Sequence, residues 1–215
     1  MGAIRPAYIT LDVEAAGNNP LQNCTLSIGA CLVTREALTF EERQKRGLIF
    51  YAELKPDSLM FQTEAMRIGC LHLECIEKMR EEDRRCDPTH PNFNPKVVLK
   101  LMQKTCERPT VALKRFRVWL DEVRAGAQVV GVTDTVFWDS VCINVCFGKY
   151  SSAPPPFGWG GKDLASMYVG YTRRPDAKLR ELAVPDTREK PHRADHDAAF
   201  LADVARVLMF EKMSW

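Results

Sequence analysis

The 215-residue chain predicts an α/β fold on a mixed sheet, and three observations carry that reading. The chain opens with three short apolar segments that read as strands, the third closed by Pro56. After them, helical patterns dominate and are interrupted by one more short apolar strand. The composition, 46% hydrophobic and 27% charged, is that of a globular domain large enough to bury a core. One domain over residues 1–215 is expected, with a surface insertion around 80–96.

The elements follow in order. In "AYITLDVE", Ile9, Leu11 and Val13 point to one side of a strand and Thr10, Asp12 and Glu14 to the other. "GNNPLQN" is a turn cluster, "TLSIGACLV" a second strand, and "GLIFYAELKP" a third that Pro56 closes. These three form an antiparallel meander. "TEAMRIGCLHLECIEKMREE" reads as one helix, and "DRRCDPTHPNFNPK", with three prolines, as a surface loop. "PKVVLKLMQKTCE" and "PTVALKRFRVWLDEVRAG" are two helices, the second starting at Pro109 and stopping at Gly126. "AQVVGVT" is the fourth strand. "WDSVCINVCFGKY" is a helix, "APPPFGWGG" a loop, "KDLASMYVGYT" a helix, and the last helix runs from about Asp195 to Met213.

The net charge of +2 permits a nucleic-acid partner without demanding one. No N-terminal apolar run resembles a signal peptide and no stretch of 18 apolar residues exists, so no membrane partner is expected. The eight cysteines then read as free thiols in a reducing, cytoplasmic compartment. Zinc sites at Cys70, His72 and Cys75, or at Cys142 and Cys146, have the wrong spacing for common ligand sets.

Asp12 and Glu14 are two apart on a strand, so both carboxylates leave one face. In a central strand that pair is costly, and a divalent cation removes the cost. On an edge strand the same pair is a solvated acidic face. Asp139 opens a helix just after the fourth strand, where it serves as a dipole partner or joins the acidic pair. Ile143 and Cys146 follow it at helical spacing; its rival Asp134 lies in the turn. In "HRADHDAAFLADVARVL", Asp197 precedes Leu201, Val204 and Leu208 on the apolar stripe. Asp195 suits the N-cap, and His196 is expected at the surface. His192 lies in the loop before the helix, free to reach over the site.

Taken in order, "LDVEAAG", "FWDSVCIN" and "HRADHDAAF" resemble the three motifs of the DEDDh 3′–5′ exonucleases, and span residues 12 to 197. "NPLQNCTLSIGA" and "GKDLASMY" also look like that family's segments. The resemblance implies a ribonuclease-H-like mixed sheet flanked by helices and two-metal phosphodiester hydrolysis. It implies Asp12, Glu14, Asp139 and Asp197 as ligands of two Mg²⁺ or Mn²⁺ ions, and His192 as general base. It further implies RNA or single-stranded DNA as partner, a homodimer as one assembly, and, by likeness to ribonuclease T and oligoribonuclease-like members, an exoribonuclease.

Many family members carry a hydroxyl residue after the Asp-x-Glu; this chain has Ala15 and Ala16, leaving only backbone contacts to a terminal nucleotide. Trp138, Phe61 and Phe93 are candidates to stack on a base or to pack in the core. "KRFRVW" and "YTRRPDAKLRE" are solvated faces or phosphate contacts. The rival functional readings are a zinc hydrolase, which lacks well-spaced ligands, and a non-catalytic nucleic-acid-binding module that keeps the fold.

Overall fold

A computed structural model describes residues 6–135, 137–158 and 160–215. The loop expected at "APPPFGWGG" includes residue 159, outside the described residues. Among the described residues, five strands form one sheet in the order β3-β2-β1-β4-β5. β1 (Ala7–Ala15) pairs antiparallel with β2 (Thr25–Leu32), which pairs antiparallel with β3 (Ile49–Glu53). β4 (Val129–Thr133) and β5 (Gly161–Asp163) join parallel on the other side of β1. The expected meander is therefore present, and β1 is central. β5 was not expected, because three residues carry too little alternation to register.

The helices are α1 (Phe40–Lys45), α2 (Thr63–Gly69), α3 (Glu74–Glu77), α4 (Met79–Glu82), α5 (Pro95–Thr105), α6 (Pro109–Arg124), α7 (Asp139–Tyr150), α8 (Leu164–Thr172) and α9 (Ala194–Ala205). Prolines occupy the first turns of α5 and α6, where a missing N–H costs nothing. After α9 the chain continues as wider, π-type turns over Arg206–Lys212.

One face of the sheet presents Ile9, Leu11, Val13, Ile28, Ala30 and Phe50 to Phe116 and Trp119 of α6 and to Ile143 and Phe147 of α7. Burying side chains of this size stabilises by roughly 1.5–3 kcal/mol each. On the other face α9 lies against β1 and β2 with very little between them. A Cβ at Gly29 would come within 2.0 Å of the Ala194 carbonyl oxygen, so only glycine fits there. The Thr10 hydroxyl sits 2.7 Å from the Ala198 carbonyl oxygen, to which it can donate. A third cluster joins Ala16 and Leu26 to α2, α3 and α5.

The expected single helix over residues 63–82 is three short pieces. Gly69 ends α2 against β1, where an added Cβ would lie 3.1 Å from the Glu14 carboxylate. The chain turns, and Leu73 adopts extended backbone before α3. Side chains satisfy the groups exposed by the break: Arg80, from α4 of the same segment, donates to the Cys70 carbonyl at 2.9 Å and to that of Leu71. Glu53 accepts the first free amides of α3, from Glu74 and Cys75. Local sequence does not carry that information. The segment expected as a surface loop is largely polar outside, but Cys86 and Phe93 are buried in the third cluster.

Candidate active site

Asp12 and Glu14 leave β1 on the face that α9 covers, near the strand's C-terminal end. Glu14 is buried and Asp12 half-buried, yet Asp12 Oδ2 is itself enclosed with no hydrogen-bond partner. Such an orphan is rare and costs about 1–3 kcal/mol or more if charged.

Asp139 is the first residue of α7 and buried. Its Oδ1 accepts the Val13 backbone N–H at 3.2 Å, which ties the start of α7 to the strand between Asp12 and Glu14. Asp134, the rival, is exposed in the turn and accepts from the Thr135 hydroxyl at 2.9 Å.

Asp197 is in the first turn of α9 and buried. Its two oxygens are both held: Arg188 donates to Oδ1 at 2.9 Å and the His192 N–H to Oδ2 at 3.1 Å. His192 is exposed and takes a left-handed backbone, φ 64°, which turns the loop into the helix. Its ring nitrogen lies within 4.8 Å of a carboxylate oxygen of both Glu14 and Asp197. The five residues singled out from sequence therefore converge on one cluster.

Two expectations about α9 fail. His196 is not at the surface: it is 6% exposed and stacks on Phe40 of α1, with ring centroids 3.9 Å apart. Asp195 is not the N-cap, which is Arg193; it is buried one position inside the helix and accepts from Arg193 at 2.8 Å. The stripe argument assumes one buried face, whereas α9 is enclosed by the sheet on one side and α1 on another. Phe40 is placed there by an α1 whose Arg43 is itself buried against Asp203, 2.6 Å away.

The electrostatics follow from the crowding. Desolvation, then the charges of Glu14, Asp139 and Asp197, push the Asp12 carboxyl well above its usual range. Glu14 is raised by burial, then by Asp197 and Asp139. Burial pushes Asp139 up to about 7 against the opposing hydrogen bond from Val13. Asp197 is raised by burial, but Arg188 opposes the shift. A cluster of oxygen donors that resists ionising until positive charge arrives fits hard divalent cations. Asp12, Glu14, Asp139 and Asp197 would hold them.

Ala15 and Ala16 are both buried, and Ala16 spends its N–H on Cys24 and its carbonyl on Gln62. Trp138 is half-buried and packs against the core cluster of α6 and α7. Phe61 is half-buried in the third cluster, and the Phe93 ring lies under the Arg67 guanidinium, 5.2 Å away. Sequence reasoning missed Arg188, which lies outside both charged stretches singled out and has no local signal of its bond to Asp197, and the exposure of Phe137, 87%, two residues before Asp139.

No family model matches the chain. It is 27% identical over 207 residues to the 3′-5′ DNA exonuclease Cap18 of Escherichia coli, covering 94% of this chain and 90% of that protein. Among solved structures it is similar to the nuclease domain of 3′hExo, a DEDDh family member, bound to rAMP. That match has TM-score 0.68 and 14% identity, over 100% of this chain and 96% of the other. It also matches E. coli Exonuclease I in complex with a dT13 oligonucleotide, with TM-score 0.58 and 15% identity, over 96% of this chain and 41% of that one. The mixed sheet with flanking helices is the fold these structures share.

Proposed function

We propose that this chain, which resembles the DEDDh 3′–5′ exonucleases in motif order, fold and sequence, hydrolyses phosphodiester bonds from the free 3′ end of single-stranded nucleic acid. The observation that carries the reading is Asp12 Oδ2, an enclosed and partnerless carboxylate oxygen at the centre of four converging acids. A purely structural cluster would not leave it so. A non-catalytic binding module would have no need of His192, exposed beside Glu14 and Asp197.

Asp12, Glu14, Asp139 and Asp197 would hold two Mg²⁺ or Mn²⁺ ions, which would supply positive charge beside the scissile phosphate and lower the pKa of the attacking water. The Val13 N–H fixes the Asp139 carboxylate, and Arg188 with the His192 N–H fixes that of Asp197. The His192 imidazole takes the proton of the attacking water and passes it to solvent, to which it is open. Ala15, Ala16 and Trp138 border Glu14 and Asp139 in sequence, which makes them the expected contacts to the terminal nucleotide; Ala16, buried and with both backbone groups already paired, has none to offer, which leaves Ala15 and Trp138 for that role. Residues 1–215 act as one exonuclease domain. Eight free cysteines suit a reducing, cytoplasmic setting, and no described helix is long and apolar enough to cross a membrane.

The expected preference for RNA has no side chain of this site behind it. Likeness to a protein named for DNA, over 94% of the chain, favours single-stranded DNA as the first substrate to try. The test is digestion of 5′-labelled single-stranded DNA and RNA with Mg²⁺, Mn²⁺ or EDTA, beside 3′-blocked and circular strands. Metal-dependent shortening from an open 3′ end is expected. Activity that survives EDTA, or cutting of circles, overturns the reading.

A further inference from the structure

A second cluster of metal-ligating side chains lies outside the acidic site, at the open edge of the sheet. Glu53 ends β3, Cys75 lies in α3, and Cys106 follows α5. One carboxylate oxygen and the two Sγ atoms all lie within 4.8 Å of one another. The two cysteines are 31 positions apart and belong to no recognisable ligand spacing. Only the break in the expected 63–82 helix turns Cys75 towards Cys106. Cys70, by contrast, is fully buried in the third cluster.

We propose that Glu53, Cys75 and Cys106 form a binding site for a thiophilic divalent cation, zinc above all. Three points support it. The donor set of two sulfurs and one carboxylate is one that zinc accepts in tetrahedral geometry. The surroundings already orient the donors. The Tyr51 hydroxyl donates to Glu53 Oε1 at 2.7 Å, the Cys75 N–H donates to Oε2 at 3.0 Å, and the Thr105 hydroxyl lies 3.9 Å from the Cys106 sulfur. The site is also accessible: all three ligands are half-buried on the wall of a cleft of about 570 Å³, which leaves the fourth position to water.

On binding, the two thiols release their protons to solvent and the sulfurs bind as thiolates. Two thiolates and a carboxylate give the loaded site one net negative charge. Lys78 lies on the same cleft wall; Arg115, also there, is already paired with Glu107 at 3.6 Å. The donors differ from the all-oxygen cluster, so the two sites prefer different ions.

Cobalt(II) is the probe, because thiolate ligation gives it a near-ultraviolet charge-transfer band that oxygen ligands do not. The fully reduced wild-type protein should show that band and lose it on adding one equivalent of zinc. Asp12→Asn, which damages only the acidic cluster, should keep it. Cys75→Ser or Cys106→Ser should abolish it. Each should weaken zinc binding by at least the roughly 100-fold that outer-shell partners cost. A second measurement needs no variant: zinc should protect Cys75 and Cys106, and no other cysteine, from alkylation mapped by mass spectrometry. Absence of the band in reduced wild-type protein, or equal alkylation of these two thiols with and without zinc, overturns the proposal.

Discussion

Asp12 and Asp197 sit in one cluster and face opposite circumstances. The strand half of the site, Asp12 and Glu14 on β1, is crowded by like charges, and one Asp12 oxygen is sealed off with no partner. The helix half, Asp197 on α9, has a guanidinium on one oxygen and a backbone N–H on the other. The difference separates two ways of holding an acid in readiness. The helix half carries its own positive charge, in the Arg188 guanidinium on Asp197. The strand half has none, so its energy depends on what is bound.

The sharpest way to break the comparison is at its two extremes. Asp12→Asn removes a charge the fold does not compensate. Turnover should fall by at least about 10³-fold, because several kcal/mol of charge stabilisation goes with the ligand. The metal-free protein should nevertheless melt higher than wild type, as measured by calorimetry in EDTA. A lower metal-free Tm would show that Asp12 is compensated after all. His192→Ala should cost about 10²–10⁴ in kcat, the usual worth of a general base, with Mn²⁺ affinity by titration calorimetry unchanged. Near-normal turnover in this variant, with His196→Ala inactive, would move the base one turn along the helix.

Arg188→Ala tests the other half. It strips the compensation from Asp197 and should lower metal-free stability by about 1–3 kcal/mol, the cost of leaving a buried polar group unpaired. Saturating Mg²⁺ should shrink the loss, since cations replace the guanidinium. An equal loss with and without metal would make Arg188 a packing residue only.

The pH dependence is a finer probe of the strand half. Unfolded carboxylates titrate near 4, whereas burial raises Asp12 and Glu14 and brings Asp139 up to about 7. Between those values the folded chain holds more protons than the unfolded one, so stability is full below about 4 and is lost as pH rises towards 7 and beyond. In EDTA the Tm should fall by several degrees from pH 5 to pH 8, because 1 kcal/mol moves a chain of this size by about 2–4 °C. Mg²⁺ should flatten the slope, and a flat profile without metal would contradict the shifts. The smallest effect is expected at His196→Ala: loss of the stack on Phe40 should cost about 1 kcal/mol with kcat within about threefold of wild type.

What could be read in advance divides along similar lines. β1 was legible because its period of two is a local property and its acids are two apart. The ligand on α9 was legible because Leu201, Val204 and Leu208 mark the core-facing side. His196 was misjudged because a stripe says which face is buried first, not whether the others are buried later by an element such as α1. The broken helix over residues 63–82 was illegible because its loose ends are met by side chains that periodicity does not register: Arg80, folding back within the segment, and Glu53 on β3, outside it. The Cys75–Cys106 pair was illegible for the same reason: spacing rules see ligands on one element, and this pair exists only once three elements meet.

One further consequence lies in Gly29. The helix that bears Asp197 rests on bare peptide at that position, with no side chain between strand and helix. Most contacts between layers are cushioned: a side chain can change rotamer and absorb a nearby change. Here there is no cushion, so the sheet acts as the datum from which Asp197 is positioned. A single methyl group at position 29, far from any reacting atom in the chain's linear order, would be passed on undiminished to the start of α9. The tolerance of the acidic cluster is thus set by a residue that contributes nothing to it but emptiness.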